Sequence, residues 1–242
     1  MSNEIVVARY KEDVSWTEEF KDDYKITVYN KFKGENILKN VGRETHTYLH
    51  HIINNYDSLS DNTVFLQGEP FDHYPNLKIF LKRKLFHKQM DMLGKCIISC
   101  DVNGQPHGNV NKKMIPVGKL FEWLTLEKSP PAFIAPAGAQ FCVSKNLILG
   151  RPKIFYERAI KAVDYDINPI EGHCFERLWP AIFGLIVKSD HKIYYPSKPD
   201  SPGYLENYCE TGSYQEYIKK YIKNDGMLQF IEDLGPYASS LI

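Results

Sequence analysis

The chain has no surplus of either charge: 30 lysines and arginines balance 30 aspartates and glutamates over 242 residues. Without a basic field to gather a phosphate backbone, no nucleic-acid partner is expected. Long apolar runs are also missing. None approaches the roughly 18 residues of a membrane span, and the opening MSNEIVVARYKED lacks the charged, then apolar, then cleavable order of a signal peptide. A soluble, cytoplasmic protein with no membrane span is the expectation. Cysteine is sparse, at five, and only Cys96 and Cys100 fall close together. A disulfide framework or a structural zinc site is not expected. No internal repeat and no low-complexity linker breaks the chain. One domain over residues 1–242 is therefore expected, 43% hydrophobic and able to bury one large core.

Several apolar segments can be placed by their period. Strands are expected at Ile5 to Ala8, Lys25 to Lys31 and Asn62 to Gln67, where β-branched residues cluster or alternate. Helices are expected at Ser15 to Asp22, at about Thr45 to Tyr56, and where Leu77, Phe80, Leu81 and Leu85 recur. Strands separated by helices predict an α/β fold with a mostly parallel mixed sheet flanked by helices. The segment Gly94 to Pro136, with many Gly, Pro and Asn, reads as loops. Residues 205–242, with SYQEYIKKYIKN, read as a peripheral helical tail.

In an open α/β sheet, ligands bind at the carboxyl ends of the strands. Those ends are Arg9 to Asp13, Asn30 to Lys33 and Gln67 to His73. The third delivers Gln67, Glu69, Asp72 and His73 into a turn where Gly68 permits close backbone approach. Further along, PIEGHCFERLWPAIFGLIV predicts a helix opening at Pro169, with Phe175, Leu178, Trp179 and Ile182 on one face. Glu171 projects toward that face and Glu176 lies on its flank. Either carboxylate suits a cap or a general base at the rim of a cleft. Pro180 predicts a kink or a break. His46 and His50 have the spacing of a chelating pair, but Thr47 stands where a metalloprotease carries its glutamate. A metal-dependent hydrolase built on His46, His50, Asp72 and His73 is one reading of these residues.

The blocks VVARYKEDVSW, NVGRETHTYLHHIINNYD, VFLQGEPFDH, GAQFCVS, RPKIFYE and ERLWPAIFG, in that order, resemble an uncharacterised domain family whose members are often found near cell-surface polysaccharide and glycosylation genes. The resemblance runs from about Val6 to Gly184. A second resemblance is to glycosyltransferases of the nucleotide-diphospho-sugar type, with the GT-A (Rossmann-like) fold. In these, a first strand and exposed loop hold the base, an Asn-x-Gly segment enters a helix, and an apolar strand ends in an Asp-x-Asp motif. Val6 to Trp16, Asn40-Val41-Gly42 and VFLQGE are similar to those parts.

That resemblance implies a nucleotide-sugar donor and a glycan or glycoconjugate acceptor. It implies donor binding by Arg9, Arg43, Gln67, Gly68, Glu69, Asp72 and His73, acceptor contacts from Gln140 and Ser144, and Glu171 or Glu176 as the base. Gln67 replaces the first aspartate of the motif, and Mg²⁺ or Mn²⁺ favours carboxylates. Two arrangements follow: Glu69, Asp72 and His73 form an altered metal site, or Arg9 and Arg43 neutralise the diphosphate directly. A non-catalytic carbohydrate-binding relative is the further alternative that the Gln67 replacement suggests.

Overall fold

In the computed structural model the described residues are 1–86, 89–105, 114–187 and 193–194. The tail helix expected within 205–242 lies outside them. The principal sheet has five strands: β1 (Asn3–Arg9), β2 (Lys25–Asn30), β3 (Asn62–Gln67), β4 (Met90–Met92) and β7 (Phe141–Ser144), in the order β2-β1-β3-β7-β4. β1 pairs in parallel with both β2 and β3, whereas β7 runs antiparallel to β3 and to β4. Four strands thus point one way and β7 alone runs back. The expected mixed, mostly parallel α/β architecture is present.

The period of two in each strand splits the core in half. Val6, Phe65, Phe141 and Val143 face one side; Ile5, Val7, Val64, Leu66 and Cys142 face the other. A central strand covered on both faces needs no polar alternation, which explains the unbroken IVVA of β1. Helices α1 (Arg43–Asn54), α5 (Lys153–Lys161) and α6 (Ile170–Ile182) bury Tyr48, Leu49, Ile52, Phe155, Phe175 and Trp179 on the first side. Helix α2 (Leu77–Arg83) and a 3₁₀ segment (Ser15–Phe20) bury Leu77, Phe80, Leu81 and Phe20 on the second. The centre of the first side is aromatic: Tyr48, Phe65, Phe141 and Trp179 pack with ring centroids 5.0–5.9 Å apart.

Two expectations are corrected. The segment Gly94 to Pro136 is not loop throughout: it holds β5 (Ile97–Asp101), helix α3 (Val117–Thr125) and β6 (Ala132–Pro136). Its turn formers stand at the borders, with Gly104 in the turn after β5 and Pro116 as the residue before α3. β5 and β6 join β8 (Ile186–Val187) and β9 (Ile193–Tyr194) in a second, antiparallel sheet. Nor does Pro180 break α6, which continues to Ile182. So near the end, the missing N–H removes one bond and the helix stops two residues later.

Candidate functional site

The register decides which residues share an edge. Arg9 lies opposite Asn30, and Ala8 opposite Gln67, so the ends of β1, β2 and β3 meet. Antiparallel β7 starts beside the end of β3, with Phe141 against Phe65, and this places Gln140 at the same edge. The same register puts Ser144 opposite Asn62, at the far end of the sheet. There its hydroxyl oxygen accepts the Leu147 N–H, capping a four-residue helix, α4 (Lys145–Ile148). Ser144 is therefore not part of this site, contrary to the sequence expectation.

The residues at the carboxyl edge are tied together. Arg9 donates from Nε to the Glu12 carbonyl and from Nη1 to Asn30 Oδ1, both at 2.8 Å. Gln67 donates from Nε2 to the Gly138 carbonyl at 3.0 Å. Gln140, fully buried, accepts the Gln67 N–H at 3.4 Å and donates to the Pro70 carbonyl at 3.1 Å. The Gly138 N–H in turn donates to Glu176 Oε1 at 3.2 Å. Gly138 has φ +101°, and a Cβ there would fall 2.4 Å from His73 Cγ. Only glycine lets the peptide pass between the imidazole and these two partners. Gly68 is also tightly approached, but by the Glu12 side chain rather than from solvent.

Helix α1 closes the edge from one side. Gly42, with φ +62°, precedes it, and Arg43 at its first position has φ +52°, a conformation disfavoured for a side chain with a Cβ. Asn40-Val41-Gly42 does enter a helix. Lys31, just past β2, donates from Nζ to the Val41 and Arg43 carbonyls, and burial lowers its pKa to about 8. Arg43 Nη1 donates to Asn168 Oδ1 at 3.2 Å and lies 3.3 Å from His173 Nε2. Arg43 Nε is 3.5 Å from the buried Glu44 carboxylate. Burial raises the Glu44 pKa; Arg43 opposes that shift and the charge of Glu176 adds to it.

The two carboxylates of α6 separate here. Glu171 is fully buried and accepts a hydrogen bond from the Tyr165 hydroxyl. Facing the apolar side of the helix is what buries it, and a buried, hydroxyl-bonded group does not stand at a cleft rim. Glu176 is about one quarter exposed, held by the Gly138 N–H and 3.7 Å from Arg177 Nη1. Of the pair, it alone reaches solvent at the strand edge.

Among the described residues no group of three or more His, Cys, Asp or Glu could hold a metal ion. Glu69 and Asp72 are exposed side chains of the turn, and His73 packs on Gly138. All three belong to the turn that follows β3. His46 and His50 both belong to α1, where the rings stack on one another 6.4 Å apart and His46 Nε2 faces Asp164 at 3.7 Å.

Lys31, Glu44 and Gly138 were not singled out from the sequence. The signal for Gly138 was present in Ala137-Gly138-Ala139, a glycine just before a strand. For Glu44, a carboxylate in the first helical turn reads as a dipole partner, and only the fold shows it buried.

The chain matches the family described as "Protein of unknown function (DUF3431)" over residues 5–200, and it belongs to that family. The uncharacterised-family resemblance is thereby supported, whereas no glycosyltransferase family is matched. No curated protein and no solved structure matches the chain.

Proposed function

We propose that this protein is a glycosyltransferase with a GT-A-like core, moving a sugar from a nucleotide-sugar donor to a hydroxyl of a glycan or glycoconjugate. The observation that carries the reading is the position of Glu176. A partly exposed carboxylate is held by a backbone N–H at the carboxyl edge of a mostly parallel sheet, the edge where such sheets bind ligands. Arg9 and Arg43 flank that edge and supply fixed positive charge for a diphosphate.

In this reading the acceptor hydroxyl attacks the anomeric carbon while the bond to the diphosphate breaks. Glu176 takes the hydroxyl proton, and the nucleoside diphosphate leaves toward the guanidinium groups. Gln67 and Gln140 hold the wall of the site rather than the donor, since their amides are engaged by Gly138, Pro70 and the Gln67 backbone. Glu69, Asp72 and His73 remain open to the donor from the turn.

The test is a melting-temperature panel of UDP-, GDP-, CMP- and dTDP-sugars, each with and without Mn²⁺. One nucleotide class should stabilise the protein by mass action. Glu176→Gln should keep that shift and lose transfer by about 10²- to 10⁴-fold, the usual contribution of a general base. Glu171→Gln should instead lower the melting temperature. The reading is abandoned if no nucleotide sugar shifts the melt, or if Glu176→Gln turns over like the unaltered protein.

A further inference from the structure

The loops that follow β1 and β2 carry an aromatic pair that the proposed chemistry does not use. Tyr10 is 41% and Phe32 52% exposed, and their rings meet edge to face with centroids 5.7 Å apart. Both loops are built to hold them outward. Glu12 turns its carboxylate back to accept the Tyr10 and Lys11 N–H groups at 2.7 and 3.0 Å. Asn30 folds the second loop by donating from its backbone to the Asn36 carbonyl and from its side chain to the Glu35 carbonyl.

Cations sit on these rings. Lys11 Nζ lies 5.0 Å from the Tyr10 centroid and 4.6 Å from that of Phe32, and Lys33 Nζ lies 5.9 Å from the latter. Neither lysine forms an ion pair among the described residues. The nearby Glu12 carboxylate is taken up by backbone N–H groups and that of Asp13 by Ser15. Glu35 is the single acidic residue between positions 31 and 40. An ammonium over both rings occupies the faces on which a flat base would stack. It suits instead a partner that offers anionic groups next to apolar ones.

The patch continues around the site. Ile37, 62% exposed, is bridged to Asn30, and Lys39 follows it. Ile167, also 62% exposed, lies on the loop whose Asp166 carbonyl accepts the Gly42 N–H before α1. Exposed apolar side chains interleaved with lysines thus border the same edge that carries Arg9, Gln67 and Glu176. Tyrosine and lysine are the side chains that settle at a lipid headgroup layer, with the apolar body inward and the polar tip in water.

We propose that this rim docks on an anionic lipid surface, with Tyr10 and Phe32 at headgroup depth and Lys11 and Lys33 against lipid phosphates. Contact through exposed side chains at headgroup depth is a peripheral mode of attachment. Docking turns the open edge of the sheet toward the bilayer. Resting here on the transferase reading, the inference names the acceptor class as a lipid-linked glycan.

Sedimentation of the full chain with vesicles tests it, comparing phosphatidylcholine alone with a mixture containing about one third phosphatidylglycerol. Binding to the anionic vesicles at low salt, and not to the neutral ones, is expected. Lys11→Glu with Lys33→Glu should weaken it at least 25-fold, at about fivefold per lysine. Tyr10→Ser with Phe32→Ser should weaken it about tenfold or more. All four side chains are exposed, so unchanged melting temperatures verify that the variants fold. The proposal fails if anionic vesicles are not bound, if both double variants bind as well as the original, or if a soluble nucleoside diphosphate displaces the vesicles. Melting shifts with nucleotide sugars, run on the same variants, test the donor site separately. A retained shift without vesicle binding removes the lipid docking alone, and the converse removes the transferase reading alone.

Discussion

The two ends of the five-stranded sheet use polar residues in opposite ways. At the amino edge, Glu4 is fully buried and saturated: it accepts from Thr27 Oγ1 at 2.7 Å and Ser60 Oγ at 3.1 Å, meets Lys25 Nζ at 3.0 Å, and lies 3.8 Å from His51 Nε2. At the carboxyl edge, Glu176 has one backbone donor and keeps a face to solvent. Both are carboxylates beside strand ends. The difference teaches that closure of the hydrogen-bond shell, rather than residue type, separates a structural acid from an available one.

Three measurements would sharpen or break that contrast. The largest effect should come from the closed network: Glu4→Ala strands buried hydroxyls, and we expect a loss of about 3 kcal/mol in urea unfolding. A loss no larger than that of a surface substitution would put Glu4 in the same class as Glu176. Next, Gly138→Ala forces a methyl toward the His73 ring and a side chain into positive φ. It should cost about 1–3 kcal/mol, and a normal melt with an intact nucleotide shift would show that the wall of the site is not built as described.

The smallest effect is a pH dependence. Burial holds His46 down at about 4 and also lowers His50 and His51, so the folded protein keeps them neutral where the unfolded chain is protonated. The unfolded state therefore binds more protons between about pH 6.5 and 4, and stability falls as the pH drops through that window. Glu44, shifted upward by burial, offsets part of that slope. His46→Gln should flatten the curve, and an unchanged slope would mean that His46 is not shielded.

Local pattern made β1, β2 and β3 legible in order, but not β4 or β7 of the same sheet. The expected Asn62 to Gln67 strand is β3 to the residue, because the apolar run Val64 to Leu66 is bordered by the polar Ser60 and Asp61 before it and by Gly68 after it. Glu171 facing the apolar stripe of α6 also followed from 100° per residue. What one turn of helix does not encode is depth: the same arithmetic that turns Glu171 inward cannot tell a rim from an interior, and the difference is made by Tyr165 and the layers above it. The misplacement of Ser144 has a similar cause. Its position depends on β7 running backward, a property of sheet pairing and not of GAQFCVS itself. The second sheet is not legible in the sequence because β5 and β6 are short and set among turn residues.

That reversed strand has a consequence for how the protein assembles. Gln67 meets Gln140 across 73 positions, Gly138 meets Glu176 across 38, and Arg43 meets His173 across 130. Contacts of such long range close loops whose entropy must be met before they contribute, so they form late. The site is thus absent from any partly folded chain. A small molecule that occupies it binds only the finished fold, and its effect on unfolding reads the cooperativity of the whole sheet rather than of one segment.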